Sequence, residues 1–127
     1  METAVLGAGS WGTALALQLA RAGNNVRLWD HKTERALQIE KRRENYQYLP
    51  GIPFPPSVCV SSDMAETLSG AELVVAVTPS QTMRGLMERA LPLMDPEVPI
   101  CCASKGIEEG SLMTMEEVLR DVLPRSF

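Results

Sequence analysis

Short apolar runs alternate along this chain with stretches whose apolar residues recur every three or four positions. Thr3 to Leu6, Val26 to Trp29, Val58 to Val60, Leu73 to Val77 and Pro99 to Ala103 have strand length, and most are too apolar to leave one face wet. Between them the spacing predicts helices over about Ser10–Ala22, Thr33–Arg43, Asp63–Leu68, Ser80–Met94 and Thr114–Leu123. Two of the starts carry capping-box spacing, Asp63 with Glu66 and Thr114 with Glu117. Gly23, Gly70 and Gly110 stand where helices stop or loops begin. Strand, helix, strand in repetition predicts an α/β fold, a parallel sheet covered on both faces by helices. The long irregular stretch, Asn45 to Pro56, holds four prolines, two tyrosines and a glycine, breakers dense enough to predict an ordered loop. No repeat of fixed period and no low-complexity block interrupts the pattern.

Composition narrows the function classes. A chain of 127 residues, 45% hydrophobic and 22% charged, holds one ordinary domain with a core of its own. A net charge of −4 and a pI near 5.0 argue against nucleic acid, which is bound by neutralising phosphates with a basic surface. No apolar run approaches the roughly 20 residues needed to span a bilayer, and nothing reads as a secretory signal. Cys59, Cys101 and Cys102 form no C-x-x-C pair and are expected to be small buried apolar residues. With a single His as well, a metal site is not expected, and the cysteine usage fits a reducing cytoplasm.

The chemistry concentrates in the first strand-to-helix turn, Gly7-Ala8-Gly9-Ser10-Trp11-Gly12. By itself G-x-G-x-x-G is a weak match. Here an apolar strand precedes it, an Ala/Leu-rich helix follows, and Asp30 closes the next strand, eighteen positions after Gly12. Gly7 would allow the tight turn, Gly9 would let a pyrophosphate approach the backbone, and Gly12 would let helix and strand pack closely. The helix start presents free N–H groups to the phosphate charge, and Asp30 falls where a carboxylate meets the adenosine ribose diol. The context therefore predicts a Rossmann-type doubly wound sheet that binds a dinucleotide. A P-loop is excluded, since no Lys-Ser or Lys-Thr pair follows the glycines. An acid at Asp30 favours NAD over NADP, whose 2′-phosphate it would repel. His31, Lys32 and Arg35 follow it and could cradle such a phosphate, but Lys32 and Arg35 are expected on an ordinary solvated helix start.

Three further segments extend the pattern: Asn45-Tyr46-Gln47-Tyr48-Leu49-Pro50-Gly51-Ile52, Val74-Val75-Ala76-Val77-Thr78-Pro79-Ser80 and Ala103-Ser104-Lys105-Gly106-Ile107-Glu108. Together with the glycine turn they resemble the bacterial NAD(P)-dependent glycerol-3-phosphate dehydrogenases over nearly all 127 residues. That family interconverts dihydroxyacetone phosphate and sn-glycerol 3-phosphate, the entry to glycerophospholipid synthesis. The resemblance implies that Ser10 and Trp11 contact the cofactor's diphosphate region, that His31 stacks beside the adenosine end, and that Tyr48 reaches the cofactor from its loop. It implies that Lys105 lies near both nicotinamide and substrate, where a cation meets a phosphate and a carbonyl developing negative charge. Pro79 and Ser80 are expected to line the cofactor cleft, and Tyr46 to be a packing aromatic.

The family often carries Gly or Ser at the position of Asp30, and some relatives carry an aromatic at that of Thr82, so that contact is not carried over. The family is also more than twice as long. Its second half is a helical domain that holds the proton-donating lysine and most phosphate-binding residues. Residues 1–127 are accordingly expected to be the cofactor-binding domain, ending before the last strand and the substrate domain, with no catalytic residue of their own. On that reading Pro99 to Ala103 is an exposed sheet edge, and the chain alone binds cofactor without turnover. For the intact enzyme the resemblance implies hydride transfer from reduced nicotinamide to the ketone carbon of a small-molecule substrate, with no membrane insertion and with homo-oligomerisation left open. Competing readings are a related dehydrogenase of 3-hydroxyacyl or 6-phosphogluconate type, a non-catalytic nucleotide-sensing module, and a methyltransferase. The Asn45 and Ser104 segments argue against the first, and the lack of a terminal hairpin signal argues against the last.

Overall fold

A computed structural model describes residues 1–124. In chain order the elements are β1 (Glu2–Leu6), α1 (Ser10–Arg21), β2 (Asn25–Trp29), α2 (Thr33–Arg42), β3 (Val58–Ser61), α3 (Met64–Leu68), β4 (Leu73–Ala76), α4 (Met83–Ala90), β5 (Ile100–Cys102) and α5 (Met115–Val122). All five strands are parallel, in the order β3-β2-β1-β4-β5. The apolar runs of the three central strands β2, β1 and β4 become strands because most of their residues are buried. Ala4 and Leu6 of β1 face one layer with Met83, Met87 and Val118. Val5 faces the other with Leu17, Leu28 and Ile39. Adjacent strand residues thus enter opposite layers, as the period of two requires.

The helix predicted over Ser80–Met94 is interrupted. Tight 3₁₀ turns at Ser80–Thr82 and Leu91–Leu93 flank a shorter α4. Pro92 explains the second break, since it has no N–H to continue the helical ladder. Thr114 and Glu117 form the complete reciprocal capping box of α5, whereas at α3 only the Asp63 side chain makes its half, accepting from the Glu66 amide. The proline-rich loop is ordered through Arg43. This residue ends α2 in a left-handed conformation, and its guanidinium donates to the carbonyls of Pro55 (2.9 Å) and Val58 (2.5 Å).

The expectation of three buried cysteines is corrected. Cys59 and Cys101 are exposed and Cys102 is half-buried. Val58 and Val60 of the edge strand β3 enter the α1–α2 layer, so Cys59 points to the other face, where the five-residue α3 is too short to cover it. Cys101 lies on the opposite edge strand, and its neighbours Ile100 and Cys102 are the ones that pack into the α3–α5 layer. The edge position expected for Pro99 to Ala103 is the one β5 occupies among the described residues, whereas the apolar run of β3 does not reveal that it too lies at an edge. Among the described residues no helix is long and apolar enough to cross a membrane.

Arg84 of α4 ties down α5 and the loop before it. It donates to both oxygens of Glu108, in the loop before α5, and to Asp121 of α5 at 2.6 Å. Hydrogen bonds from Arg84, then from Ser111, hold the Glu108 carboxyl below its ordinary value of 4.5. A depressed carboxyl pKa stabilises the fold above that ordinary value, and the contribution is lost as pH falls through the folded-state value. Replacing Glu108 by Gln is expected to lower the melting temperature at pH 7, with the deficit closing as pH falls from the ordinary carboxyl value of 4.5 through the lowered folded-state value (thermal unfolding followed by circular dichroism across pH).

Candidate functional site

The strand order reverses between β1 and β4, which leaves a crevice at the carboxyl ends of those strands, the place where open parallel sheets take ligands. Three backbone segments meet there with no room for side chains. A Cβ on Gly12 would stand 1.9 Å from the Gly7 carbonyl oxygen, and one on Gly7 would stand 2.0 Å from that of Val77. Gly7 also has φ +132°, closed to ordinary L-residues. Gly9 differs: nothing lies within 4 Å of where its Cβ would be. The bare space above Gly9 is a cradle that a side chain would fill.

Helix α1 begins over this cradle without a cap. Its first intrahelical bond runs from the Thr13 amide to the Gly9 carbonyl, 3.0 Å, so the amides before Thr13 have no helical acceptor. No side chain caps it and no acid stands in its first turn, unlike the capped α3 and α5. The partial positive charge of a twelve-residue helix is thus left facing a cleft of about 540 Å³. That is a seat for an anion, and its open glycine suits one bulky enough to lie along the backbone.

The far wall comes from two segments distant in sequence. The Ser104 hydroxyl donates to the Thr78 carbonyl (2.6 Å) and accepts from the Thr78 amide (2.9 Å), which laces the turns after β4 and β5 together. Gly106, with φ +117°, comes so close to Ser80 that a Cβ would lie 3.0 Å from its hydroxyl. The indole N–H of the exposed Trp11 donates to the Ala103 carbonyl at 3.2 Å and spans the cleft. Ser10, Trp11, Pro79, Ser80 and Lys105 therefore line one crevice with Gly9 and Gly12, and Lys105 is exposed at its mouth.

The other end is built around Asp30, only 1% exposed at the end of β2. Its carboxylate does not stand free. Arg35 engages both oxygens, through Nε on one and through Nη2 on the other at 2.7 Å, and the Lys32 amide donates at 3.2 Å. His31 Nδ1 lies 3.5 Å away on an exposed ring. The expectation that Arg35 sits on a solvated helix start is corrected: its side chain is 11% exposed, because the buried carboxylate five residues earlier recruits it. Removing one partner of such a pair strands the other charge, at a cost of about 3–5 kcal/mol. The Arg35 guanidinium also lies over the Tyr48 ring, 5.1 Å from its centre, with Nη1 3.4 Å from the Tyr48 hydroxyl. Asp30, His31, Arg35 and Tyr48 are thereby one cluster. Tyr46 lies outside it, half-exposed beneath Arg42.

Asn45 is the residue that reading the sequence for roles passed over. It is fully buried, and its amide donates to the Ala8 carbonyl and to the Thr13 hydroxyl, both at 2.9 Å. Its carbonyl oxygen accepts from the Tyr48 amide at 3.2 Å. One side chain thus fastens the glycine turn to the loop that carries Tyr48. The signal was its place at the head of that loop, but its partners lie more than thirty residues away and local spacing does not reach them.

Comparison with known proteins agrees with this geometry. The family model for the NAD-dependent glycerol-3-phosphate dehydrogenase N-terminus matches residues 2–127. A curated glycerol-3-phosphate dehydrogenase [NAD(P)+] from Corynebacterium aurimucosum is 48% identical over 120 residues, covering 94% of this chain and 36% of the relative. One from Anaeromyxobacter sp. is 46% identical over 98% of the chain and 37% of the relative. The crystal structure of glycerol-3-phosphate dehydrogenase from Coxiella burnetii superposes with a TM-score of 0.90 at 38% identity, over 95% of this chain and 37% of that one. The chain thus spans little more than a third of the length of these relatives. Its match across almost every residue shows that it belongs to the NAD(P)-dependent glycerol-3-phosphate dehydrogenase family and is the N-terminal, NAD-binding domain of such an enzyme.

Proposed function

We propose that this chain supplies the cofactor half of an oxidoreductase that reduces dihydroxyacetone phosphate to sn-glycerol 3-phosphate, a precursor of glycerophospholipids. The observation that carries the reading is the uncapped start of α1 above the open Gly9. When bound, the reduced nicotinamide supplies the hydride. The residues of this chain hold and orient. Gly7, Gly9 and Gly12 shape the turn, while the amides and side chains of Ser10 and Trp11 meet the diphosphate. Asp30, His31 and Tyr48 bound the adenosine end. Lys105, exposed at the mouth of the cleft, neutralises negative charge on the substrate side.

The decisive experiment is titration of the chain with NADH, followed by quenching of Trp11 fluorescence, beside an assay with dihydroxyacetone phosphate. Binding without turnover is expected. Turnover by the chain alone would overturn the division of labour, and lack of binding would overturn the cofactor reading itself.

Two glycines separate fold from binding. Gly9→Ala is expected to leave stability within about 0.5 kcal/mol and to weaken NADH binding at least about tenfold, because only the ligand's space is filled. Gly12→Ala is expected to destabilise by about 2 kcal/mol or more, since its Cβ meets backbone. Chemical denaturation and NADH titration of both variants check this. Asn45→Asp keeps the side-chain shape but sets a carboxylate against the Ala8 carbonyl. It is expected to cost about 2 kcal/mol of stability and to weaken NADH binding more than Tyr48→Phe does, by the same two measurements.

A further inference from the structure

Lys105 is exposed on a flexible four-carbon stem, so the place of its ammonium is set by the backbone that carries it. On the near side that backbone is held by the Ser104 hydroxyl, which is laced to Thr78. On the far side the next residue is Gly106, and glycine has the freest backbone of all. A lysine between one fixed residue and a glycine can swing unless the chain is pinned again beyond it.

Gln81, in the tight turn before α4, supplies that pin. Its Nε2 donates to the Ile107 carbonyl (2.9 Å) and to the Ser80 hydroxyl (3.1 Å), and its Oε1 accepts from the Glu109 amide (2.8 Å). The amide thus uses both its donors and its acceptor. Turned over, it would set oxygen against a carbonyl and N–H against N–H. The main chain is gripped on either side of Glu108, whose own side chain is held by Arg84, and Ile107 bridges to Thr114. Gln81 is exposed, and a hydrogen bond that water can replace adds little net stability. The grip therefore fixes geometry more than it stabilises the fold.

We propose that Gln81 is a positioning residue for the reaction: acting through Ile107 and Glu109, it holds the loop that presents Lys105, so that the ammonium meets negative charge on the substrate. The proposal rests on the reading of Lys105 given above. A misplacement of about 1 Å can cost a reaction about 10²-fold in rate. A solvent-facing amide thereby bears on chemistry at one remove.

The test is titration of the NADH-saturated chain with dihydroxyacetone phosphate, followed by nuclear magnetic resonance, for the parent, Gln81→Met, Lys105→Gln and the double variant. Gln81→Met keeps the length of the side chain without its hydrogen bonds, and is expected to leave the melting temperature within about 4 °C of the parent. It is expected to lower the order parameter of the Gly106 amide from about 0.85 to below about 0.6. Binding of dihydroxyacetone phosphate is expected to weaken at least about fourfold in Gln81→Met and at least about tenfold in Lys105→Gln. Adding Gln81→Met to Lys105→Gln is expected to change affinity by less than about twofold, because one residue acts through the other. Unchanged Gly106 order or affinity in Gln81→Met, a larger fall in melting temperature, or losses that multiply in the double variant would overturn the proposal and leave the Lys105 reading standing. Parental affinity in Lys105→Gln, or no binding by the parent, would overturn both.

Discussion

Everything in the site depends on two contacts that exclude a side chain. The start of α1 rests on the Gly7 carbonyl at Gly12, and Gly7 rests in turn on the carbonyl of Val77 beyond β4. A methyl group at either place would meet a backbone oxygen at about 2 Å, far inside van der Waals contact, and the helix would have to lift. Because it does not lift, the positive end of α1 stands at the switch point of the sheet. The strands below, with Ala4, Val5 and Leu6 wholly buried, give that arrangement a floor that cannot yield.

The polar groups near the site follow a second constraint, that buried hydrogen-bonding groups must find partners. Asn45 and Asp30 are almost fully enclosed, and each reaches a segment other than its own strand or helix. Such groups add little net stability compared with apolar residues of the same shape, but they tolerate one arrangement only. The glycine turn, the end of β2 and the loop of Tyr48 are therefore set relative to one another by directional bonds rather than by packing alone.

Much of the architecture was legible in the amino-acid sequence because its causes are local. The runs at Thr3–Leu6 and Val26–Trp29 became β1 and β2 to within a residue, and the spacing of Thr114 and Glu117 became the cap of α5. The glycine turn was legible for the same reason, since its neighbours in sequence are its neighbours in space. What escaped was set by tertiary partners. Pro92 shortened α4 as its chemistry requires, yet a helical spacing over Ser80–Met94 concealed it. Arg35 looked like a solvated residue until the burial of Asp30 was known, Asn45 looked like a loop residue, and Cys59 looked interior because its apolar run did not reveal that β3 is an edge; Cys101 looked interior by residue type although its strand was expected at an edge.

The double hydrogen bond between Ser104 and Thr78 has a thermodynamic consequence. It joins the turns after β4 and β5 before any ligand arrives, so two loops that would otherwise wander are already one wall. Ordering of backbone is a main penalty in many binding reactions, roughly 1–2 kcal/mol for each residue immobilised. A crevice whose side is assembled during folding is spared that penalty at the moment of association, and its entropy of complex formation reflects the ligand and the departing water more than the protein.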